Sequence, residues 1–427
     1  MNLIKSIEKR ILSIFLLSFI FLRLPPLNLF LGKNISLINS QSLARYLVIF
    51  IFTFFIFKFY KKKLTINIDK KLIFFILLYF ITISLSIITA INIPAFLEIY
   101  KHIAFGILFF FISLVVLDDK NKIKWSIYIL ALTMLINLIY QFIVYFYKDS
   151  MFTFQSLFYD KYWEVFWLNL ERQRFFVDIY DSALIPIIFI FFYWFKNNLV
   201  NSFYKSLIVL VIIFFAAVSN FRTQLLMAGS SLVGTLYVIN KDKNYFIIKL
   251  LGLFCILIML SSVLRGFIGS STIERITAPA EEETRTITGR FDWWQQSIGM
   301  GMSSPLVGIG LNNFYEYLSS KTAINIASFG LKNKLAQITA THPHSIFFQT
   351  FAETGLLGFI SLMLLLLYFI IKDFNTFRKK NIPCSLVIVS FWSLFLFSVF
   401  NPPITLQYII LFWFLRALII KSQKFYL

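Results

Sequence analysis

The sequence predicts an all-α polytopic membrane protein with about twelve transmembrane helices. Of the 427 residues, 59% are hydrophobic and only 14% are charged, which is far from the composition of a soluble domain. A helix needs about 20 mostly apolar residues to cross a bilayer. The apolar segments of this chain are long and uninterrupted, which favours helices over a β-barrel, whose strands alternate apolar and polar residues. The segments lie near residues 11–31, 43–59, 72–92, 96–117, 124–147, 178–195, 203–220, 223–240, 245–264, 346–371, 383–400 and 403–420.

The predicted helices form one integrated membrane domain with two long loops. Residues 1–264 contain helices one to nine and a smaller loop at 148–177, and residues 346–427 contain the last three. Residues 265–345 form a large loop before the tenth helix. Function concentrates in long loops between rigid helices. The chain starts like a signal peptide but lacks an A-x-A cleavage site, so we interpret the first apolar segment as a span.

The net charge of +20 is distributed unevenly over the predicted loops. Lysine-rich loops such as KFYKKK and DDKNKIK alternate with loops that hold most of the arginines. By the positive-inside rule the lysine-rich side and both termini are cytoplasmic. Lysine suffices to anchor a loop at an anionic leaflet, whereas the arginine fork binds phosphate or carboxylate bidentately. The pattern predicts contact with membrane lipids and no nucleic-acid partner; alternatively, the outer arginines pair with outer acids.

Arg222 is the clearest outer arginine. It lies between two apolar spans in AAVSNFRTQLLMAGSSL, with no acidic residue nearby in the sequence. A charge at membrane depth is costly and indicates a functional site, although an arginine at a helix end also snorkels to the interface. Arg174 flanks another outer span in NLERQRFFVD, where Glu171 and Asp178 are close enough to pair with it.

The large loop contains the segment TRTITGRFDWWQQSIGMGMSSPLVGIGLNNF. From Thr288 the pattern predicts a short helix with Arg290, Trp294 and Ile298 on one face, ending at GMGMSSP. An arginine in the first turn can bind a phosphate together with the exposed backbone N–H groups. Alternatively, Arg290 pairs with Asp292 or with an acid of the preceding EEE run.

Two of the three histidines lie in THPHSIFFQTFAETGLLG. Pro343 disfavours helix at His342, so His344 and Ser345 are expected at the N-terminal edge of the tenth span. Unsatisfied N–H groups there disfavour an added proton, which predicts a neutral imidazole. A neutral imidazole is what a general base requires.

The residues alone leave other interpretations of this segment open. Either histidine can be a structural residue that donates to a loop carbonyl. The two can also supply zinc ligands, with a third from Asp292, Glu316 or Glu353, and a proton relay in a transporter is a further possibility. Gly355 and Gly358, on one helical face, predict the close approach of a neighbouring helix.

The order of these motifs resembles the O-antigen ligase and O-antigen polymerase superfamily. His344-Ser345, nine residues and then Gly355-Leu-Leu-Gly358 match the H-[N/S/Q]-x9-G-x-x-G signature of that superfamily. NFRTQLLMAG looks like its S-R-type turn, and TGRFDWWQQSIGMGMSSPLVGIGLNNF looks like its T-G-R…W…P-x-x-G-x-G segment. The resemblance covers roughly residues 219–358. One departure is Asn220-Phe221 where the family has serine directly before the arginine.

The resemblance implies a metal-independent, inverting glycosyltransferase that uses no cofactor, in the bacterial inner membrane with its active site on the periplasmic side. The donor would be a glycan on undecaprenyl pyrophosphate. The acceptor would be the lipid A core for a ligase, or a lipid-linked repeat unit for a polymerase. Arg222 and Arg290 fall on the arginines that hold the pyrophosphate, and His344 falls on the general base. His342, Ser345 and Arg174 are the predicted supporting residues.

Among these functions the sequence favours an O-antigen ligase, with the polymerase as the nearest alternative. A flippase for lipid-linked glycans would also need arginines for the pyrophosphate. That function predicts cationic residues along a central cavity in both leaflets, whereas here the arginines collect on the outer side. It also leaves His344 without a role.

Overall fold

The computed structural model describes residues 2–23, 28–29, 38–60, 69–146, 179–194, 211–212, 222–240, 280–322, 342–379, 381–401 and 405–426. These residues form helices almost throughout. The helices are α1 Asn2–Arg23, α2 Ser40–Tyr60, α3 Lys70–Leu85, α4 Ile93–Val116, α5 Lys120–Phe146, α6 Ile185–Trp194, α7 Arg222–Ile239, α8 Ala280–Ser303, α9 Phe314–Thr322, α10 Ile346–Arg378, α11 Ile382–Phe400 and α12 Leu406–Tyr426. Short 3-10 helices cover Ser86–Thr89 and Ile179–Leu184.

The predicted all-α class holds apart from one short pairing between α1 and α2. Strands β1 (Asn28–Leu29) and β2 (Ile38–Asn39) pair antiparallel, with Asn28 opposite Asn39. The first helix also ends before the predicted span does, because its last residue is Arg23, two residues before Pro25. A proline disfavours helical conformation in the residue that precedes it.

Six helical segments within the described ranges are long and apolar enough to cross a membrane. They confirm a multi-pass membrane protein, while the count of twelve stays a prediction. The predicted span 245–264 lies outside the described residues, as does 203–220 except for 211–212. The six segments are Lys70–Thr89, Ile93–Val116, Lys120–Ile139, Ile346–Arg378, Ile382–Phe400 and Leu406–Lys424. Shorter apolar helical segments are Ile11–Leu22, Leu43–Phe54, Tyr180–Phe192 and Leu226–Ile239.

The helix ends meet in the grouping that the charge pattern predicts. We call the end of the bundle that contains His344 the outer end and the end that contains Asp69 the inner end. At the inner end, Lys372 Nζ lies 3.0 Å from the carboxylate of Asp69. At the outer end, the backbone N–H of Asn92 donates to Asn313 Oδ1 at 2.6 Å. Both contacts join chain segments that the predicted topology places on the same side.

Aromatic side chains fill the contact between α1, α4 and α12. The rings of Phe19 and Phe414 lie 4.3 Å apart, and those of Phe15 and Phe109 lie 5.1 Å apart. All four side chains are fully buried. Offset and tilted ring pairs of this kind pack more favourably than their area alone predicts. The bias of the sequence toward phenylalanine therefore serves helix packing as well as contact with lipid.

A buried ion pair that the sequence analysis did not identify joins α10 to α12. Arg416 NH1 donates to both carboxylate oxygens of Asp373 at 2.7 Å, and the two side chains are almost fully buried. The Trp392 indole N–H donates to Asp373 at 2.9 Å, and the Arg416 guanidinium lies 4.0 Å from the ring centroid of Phe369. Each charge is therefore matched inside a largely apolar bundle.

Candidate active site

Helix α10 is interrupted at Gly355, close to its outer end. Gly355 has φ 63° and ψ −166°, a conformation that only glycine adopts readily. In an unbroken helix the N–H groups of Leu356 and Leu357 would donate to the carbonyls of Ala352 and Glu353. The break leaves two donors and two acceptors to be satisfied elsewhere.

The segment 305–310, PLVGIG, satisfies all four of these backbone groups. It follows α8 and lies against the break in α10, so that each helix bond is replaced by two bonds to this segment. The bonds run from Leu356 N–H to the Pro305 carbonyl (2.8 Å), from Leu357 N–H to the Leu306 carbonyl (3.1 Å), from Ile309 N–H to the Ala352 carbonyl (3.0 Å) and from Gly310 N–H to the Glu353 carbonyl (2.9 Å). We call this contact between segment 305–310 and α10 the joint. The P-x-x-G-x-G motif forms one side of it and the G-x-x-G motif forms the other.

Glycine is required on both sides of this joint. A Cβ atom on Gly308 would overlap the backbone of Glu353, and a Cβ atom on Gly355 would overlap the backbone of Leu306. Gly308 also has a positive φ of 71°. The prediction that Gly355 and Gly358 receive a neighbouring helix is therefore wrong. Gly355 admits a loop segment, and the space beside Gly358 is taken by the Thr354 side chain of the same helix.

The joint places residues 342–345, which we call the histidine segment, at the start of α10. The helix begins at Ile346 with Ser345 as the N-cap, in extended conformation, which confirms that His344 and Ser345 lie at the N-terminal edge of this span. The Ser345 carbonyl accepts from Gln349 N–H at 2.9 Å, whereas its side chain makes no capping bond. His344 adopts a left-handed backbone conformation with φ 51°. A positive φ is uncommon outside glycine and is often found at functional sites.

Two tryptophans of α8 pack against the histidine segment. The ring of Trp293 stacks on the imidazole of His344, with centroids 4.9 Å apart and an angle of 13° between the planes. Trp294 stacks in the same way on Phe348, and its indole N–H donates to the Pro343 carbonyl at 3.0 Å. The imidazole is therefore held in a fixed plane by a helix from the large loop.

His342 lies beside His344 in the same segment. The two rings meet edge to face with centroids 4.4 Å apart, and the His344 backbone N–H donates to His342 Nδ1 at 3.4 Å. Burial, reinforced by the neighbouring His344, lowers the pKa of His342 to about 3. His342 is therefore neutral at physiological pH, and it shapes the turn that carries His344.

The two arginines predicted to hold the pyrophosphate lie on different helices. Arg290 lies on α8, one turn before Trp293, and is partly buried. The expectation that it lies in the first helical turn is wrong, because α8 begins at Ala280; Arg290 is therefore remote from the exposed N–H groups of that helix. Arg222 is the first residue of α7. Its side chain, and the whole of Arg174, lie outside the described residues.

The apolar residues of α8 do not all lie on its packing face. Ser297 and Met300 are buried on the side of Trp293, whereas Ile298 is exposed. Here one face of the helix packs on the histidine segment and on α10, and apolar residues such as Phe291 and Ile298 remain exposed on the other.

The three motif segments gathered at His344 lie in a part of the chain that matches a known family. Residues 179–363 match the family model described as O-Antigen ligase. The predicted resemblance is confirmed. The match spans less than half of the chain and includes Arg222, Arg290 and the whole histidine segment. It supports a glycosyltransferase of the O-antigen ligase or polymerase type, with a lipid-linked glycan as substrate in a membrane environment. No curated protein matches the chain.

One residue beside His344 was not identified from the sequence. Asn401, at the outer end of α11, lies beyond the matched segment. Its Oδ1 lies 3.4 Å from His344 Nδ1, and its Nδ2–H donates to the Thr223 hydroxyl at 3.0 Å. Asn401 thus joins the histidine to the start of α7, next to Arg222. The only sequence signal was an asparagine before two prolines at the end of a span.

The buried carboxylate of Glu353 holds the remaining part of the loop in place. Its side chain is 1% exposed and accepts from the Asn312 backbone N–H at 2.8 Å and from the Gln349 amide at 3.0 Å. Of the other acids considered as metal ligands, Glu316 binds Asn92 at 3.0 Å. Within the described ranges, no three His, Cys, Asp or Glu side chains are grouped so that they could hold a metal ion.

Proposed function

We propose that this protein is an O-antigen ligase. It transfers a glycan from undecaprenyl pyrophosphate to the lipid A core at the periplasmic face of the inner membrane, with inversion and without a metal ion. The observation that carries the proposal is the convergence on His344. The α8 helix with Arg290 contacts it through Trp293, and the α7 helix with Arg222 reaches it through Asn401.

In this reaction His344 acts as the general base. It takes the proton of the acceptor hydroxyl while that oxygen attacks the anomeric carbon of the donor. The bond between this carbon and the pyrophosphate oxygen breaks on the opposite face, and undecaprenyl pyrophosphate departs. Arg222 and Arg290 bind the negative charge that develops on the pyrophosphate.

The surroundings of His344 support the role of a base. A general base must be neutral before the reaction and held within hydrogen-bond reach of the proton that it takes. The Trp293 stack fixes the plane of the imidazole ring. His344 directly precedes the N-cap residue Ser345, which places the ring at the N-terminus of α10. The neutral His342 is the closest titratable neighbour within the segment, so no fixed charge of the segment competes with the substrate.

The first test compares the surface glycan of a strain that lacks this protein with its lipid-linked pool. For a ligase, we expect long chains to disappear from the lipid A core and to accumulate on undecaprenyl pyrophosphate. A core that carries a single repeat unit would instead identify a polymerase. Unchanged profiles in both pools would contradict both functions.

The second test restores the strain with variants of the protein. We expect His344→Ala to abolish transfer while the protein still accumulates in the membrane, and a metal chelator to leave wild-type transfer unchanged. His102→Ala, at the third histidine of the chain, is the matched control because His102 lies on α4, away from the histidine segment. Full transfer by His344→Ala would exclude His344 as the base.

A further inference from the structure

Asn401 contacts both the histidine and the helix that begins at Arg222. It caps the C-terminal end of α11, where its backbone N–H donates to the Phe397 carbonyl at 2.9 Å. Its side chain is therefore not needed to complete the helix and points to His344 and Thr223 instead. We propose that Asn401 is a positioning residue that selects the tautomer and the orientation of the His344 imidazole. The inference rests on the proposed function of His344 as the base.

The Asn401 amide turns its nitrogen toward Thr223 and its oxygen toward the histidine. The Thr223 hydroxyl accepts from Nδ2–H at 3.0 Å, and Thr223 is only 6% exposed, so water does not compete for this bond. The amide oxygen is left facing His344 Nδ1 at 3.4 Å. An amide oxygen can only accept a hydrogen bond.

This arrangement selects one tautomer of His344. Because Oδ1 of Asn401 accepts, Nδ1 of the neutral imidazole must carry the hydrogen, and the lone pair lies on Nε2. Nε2 is then the atom that takes the proton of the acceptor hydroxyl. The Trp293 stack fixes the plane of the ring, and the bond to Asn401 fixes its rotation within that plane.

A neutral amide has a different effect on the base from that of a carboxylate. A carboxylate at Nδ1 would orient the ring but would also favour the protonated imidazole. An amide orients the ring without that bias, so the base remains neutral at lower pH. Other titratable groups on the elements around His344 include His342 in the same segment, Glu353 on α10, Arg290 and Asp292 on α8, and Arg222 on α7.

Steady-state kinetics on Asn401 variants test the proposal. The purified protein in lipid nanodiscs is supplied with the undecaprenyl pyrophosphate-linked glycan isolated from the deletion strain and with lipid A core. We expect Asn401→Ala to lower kcat by ~10–100-fold, as removal of a partner that orients a reactive histidine does, with little change in the donor KM. Asn401→Asp should recover much of this loss and move the acidic limb of the pH profile upward, since a carboxylate favours the imidazolium.

The matched control is Asn381→Ala, at the other end of α11. Asn381 also caps this helix, through a bond from Cys384 N–H at 3.1 Å, but it lies at the inner end. It should leave both kcat and the pH profile at wild-type values. If the Asn401→Ala variant fails to accumulate, Asn401→Asp alone tests the proposal, because aspartate has the size of asparagine and keeps an acceptor oxygen.

The outcomes separate this inference from the proposed function. An inactive His344→Ala combined with Asn401 variants of wild-type kcat and pH profile would overturn the inference and leave the base intact. Equal losses in Asn401→Ala and Asn401→Asp without a pH shift would show a structural role only, and would also overturn it. An active His344→Ala would exclude His344 as the base and would overturn the inference with it.

Discussion

The two ends of α10 both bury polar groups, but they satisfy them differently. At the outer end, segment 305–310 makes backbone hydrogen bonds across the break at Gly355. His344, which this joint positions, is partly exposed. At the inner half, Asp373 and Arg416 bind each other with almost no exposure to solvent.

The difference separates the proposed reactive site from a structural one. The buried ion pair is closed, because the acceptor oxygens of Asp373 are occupied by Arg416 and Trp392. The outer end combines strained backbone at His344 and Gly355 with partial exposure. Strain of this kind is maintained where the surrounding structure enforces it and where function benefits from it.

The largest effect is expected from breaking the inner ion pair. Arg416→Met leaves the Asp373 carboxylate buried without its charge partner, which should lower the free energy of unfolding by ~3–5 kcal/mol. The double variant Arg416→Met with Asp373→Asn removes both charges and keeps an acceptor for the Trp392 indole. It should recover most of the loss. Thermal unfolding in nanodiscs measures both variants.

The comparison also predicts that this pair has no part in glycan transfer. Transfer per folded molecule should be unchanged in the double variant. If it disappears while the protein unfolds at the wild-type temperature, the inner pair belongs to the site and the division between the two ends is wrong.

The next effect is expected at the joint between α10 and segment 305–310. Gly355→Ala introduces a side chain in a backbone conformation that costs about 1–3 kcal/mol for other residues, and its Cβ overlaps Leu306. We expect lower stability and a loss of transfer, because the joint sets the position of His344. Unfolding temperature and transfer are measured together.

Gly299→Ala is the matched control for this prediction. An added Cβ on Gly299 meets nothing within 4 Å, and alanine is favoured over glycine inside a helix by about 1 kcal/mol. It should be as active as the wild type and as stable or slightly more so. If Gly355→Ala behaved like this control, the joint would not be needed for the site.

The smallest effect is expected at Asp69 on the surface of the inner end. Its carboxylate binds Lys372 Nζ at 3.0 Å, the Tyr368 hydroxyl at 2.8 Å and the Lys71 N–H at 2.9 Å. The hydrogen bond from Lys372, followed by those from Tyr368 and Lys71, lowers the pKa of Asp69 to about 2. Both members of the ion pair are well exposed, so solvent screening limits its contribution to below ~1 kcal/mol.

The lowered pKa fixes the direction of the pH dependence. A depressed folded-state pKa stabilises the protein above the ordinary aspartate value of about 4, and this contribution is lost as the pH falls toward 2. Asp69→Asn keeps the helix cap but loses the charge. Its unfolding temperature should be slightly below that of the wild type at pH 7 and should approach it at pH 3. A gap that widened in acid would contradict the assignment.

Much of the architecture could be predicted from the chain because its signals are local. Runs of about 20 apolar residues predict the long helices, and the asparagine and aspartate residues before α3, α4 and α11 cap their first turns. The proline before His344 predicted where α10 begins. The ordered motifs predicted the resemblance over roughly residues 219–358, and the family match covers 179–363.

Other features depended on partners that are far apart in the sequence. Tertiary contacts, and not the size of the apolar side chains, decide which face of α8 packs, so Ile298 remains exposed. The bond between Asn401 and His344 spans 57 positions, and an asparagine at a helix end has no feature of its own that identifies such a role. Arg416 and Asp373 are separated by 43 positions, so neither appeared paired in sequence.

The sequence by itself predicted a multi-pass membrane protein that resembles the O-antigen ligase and polymerase superfamily, because composition, run length and motif order are properties of the chain alone. The tertiary structure showed why Gly308 and Gly355 are needed and which residues hold His344. Backbone hydrogen bonds between segment 305–310 and α10 involve no particular side chains, and only the folded chain brings Trp293, Asn401 and His344 together.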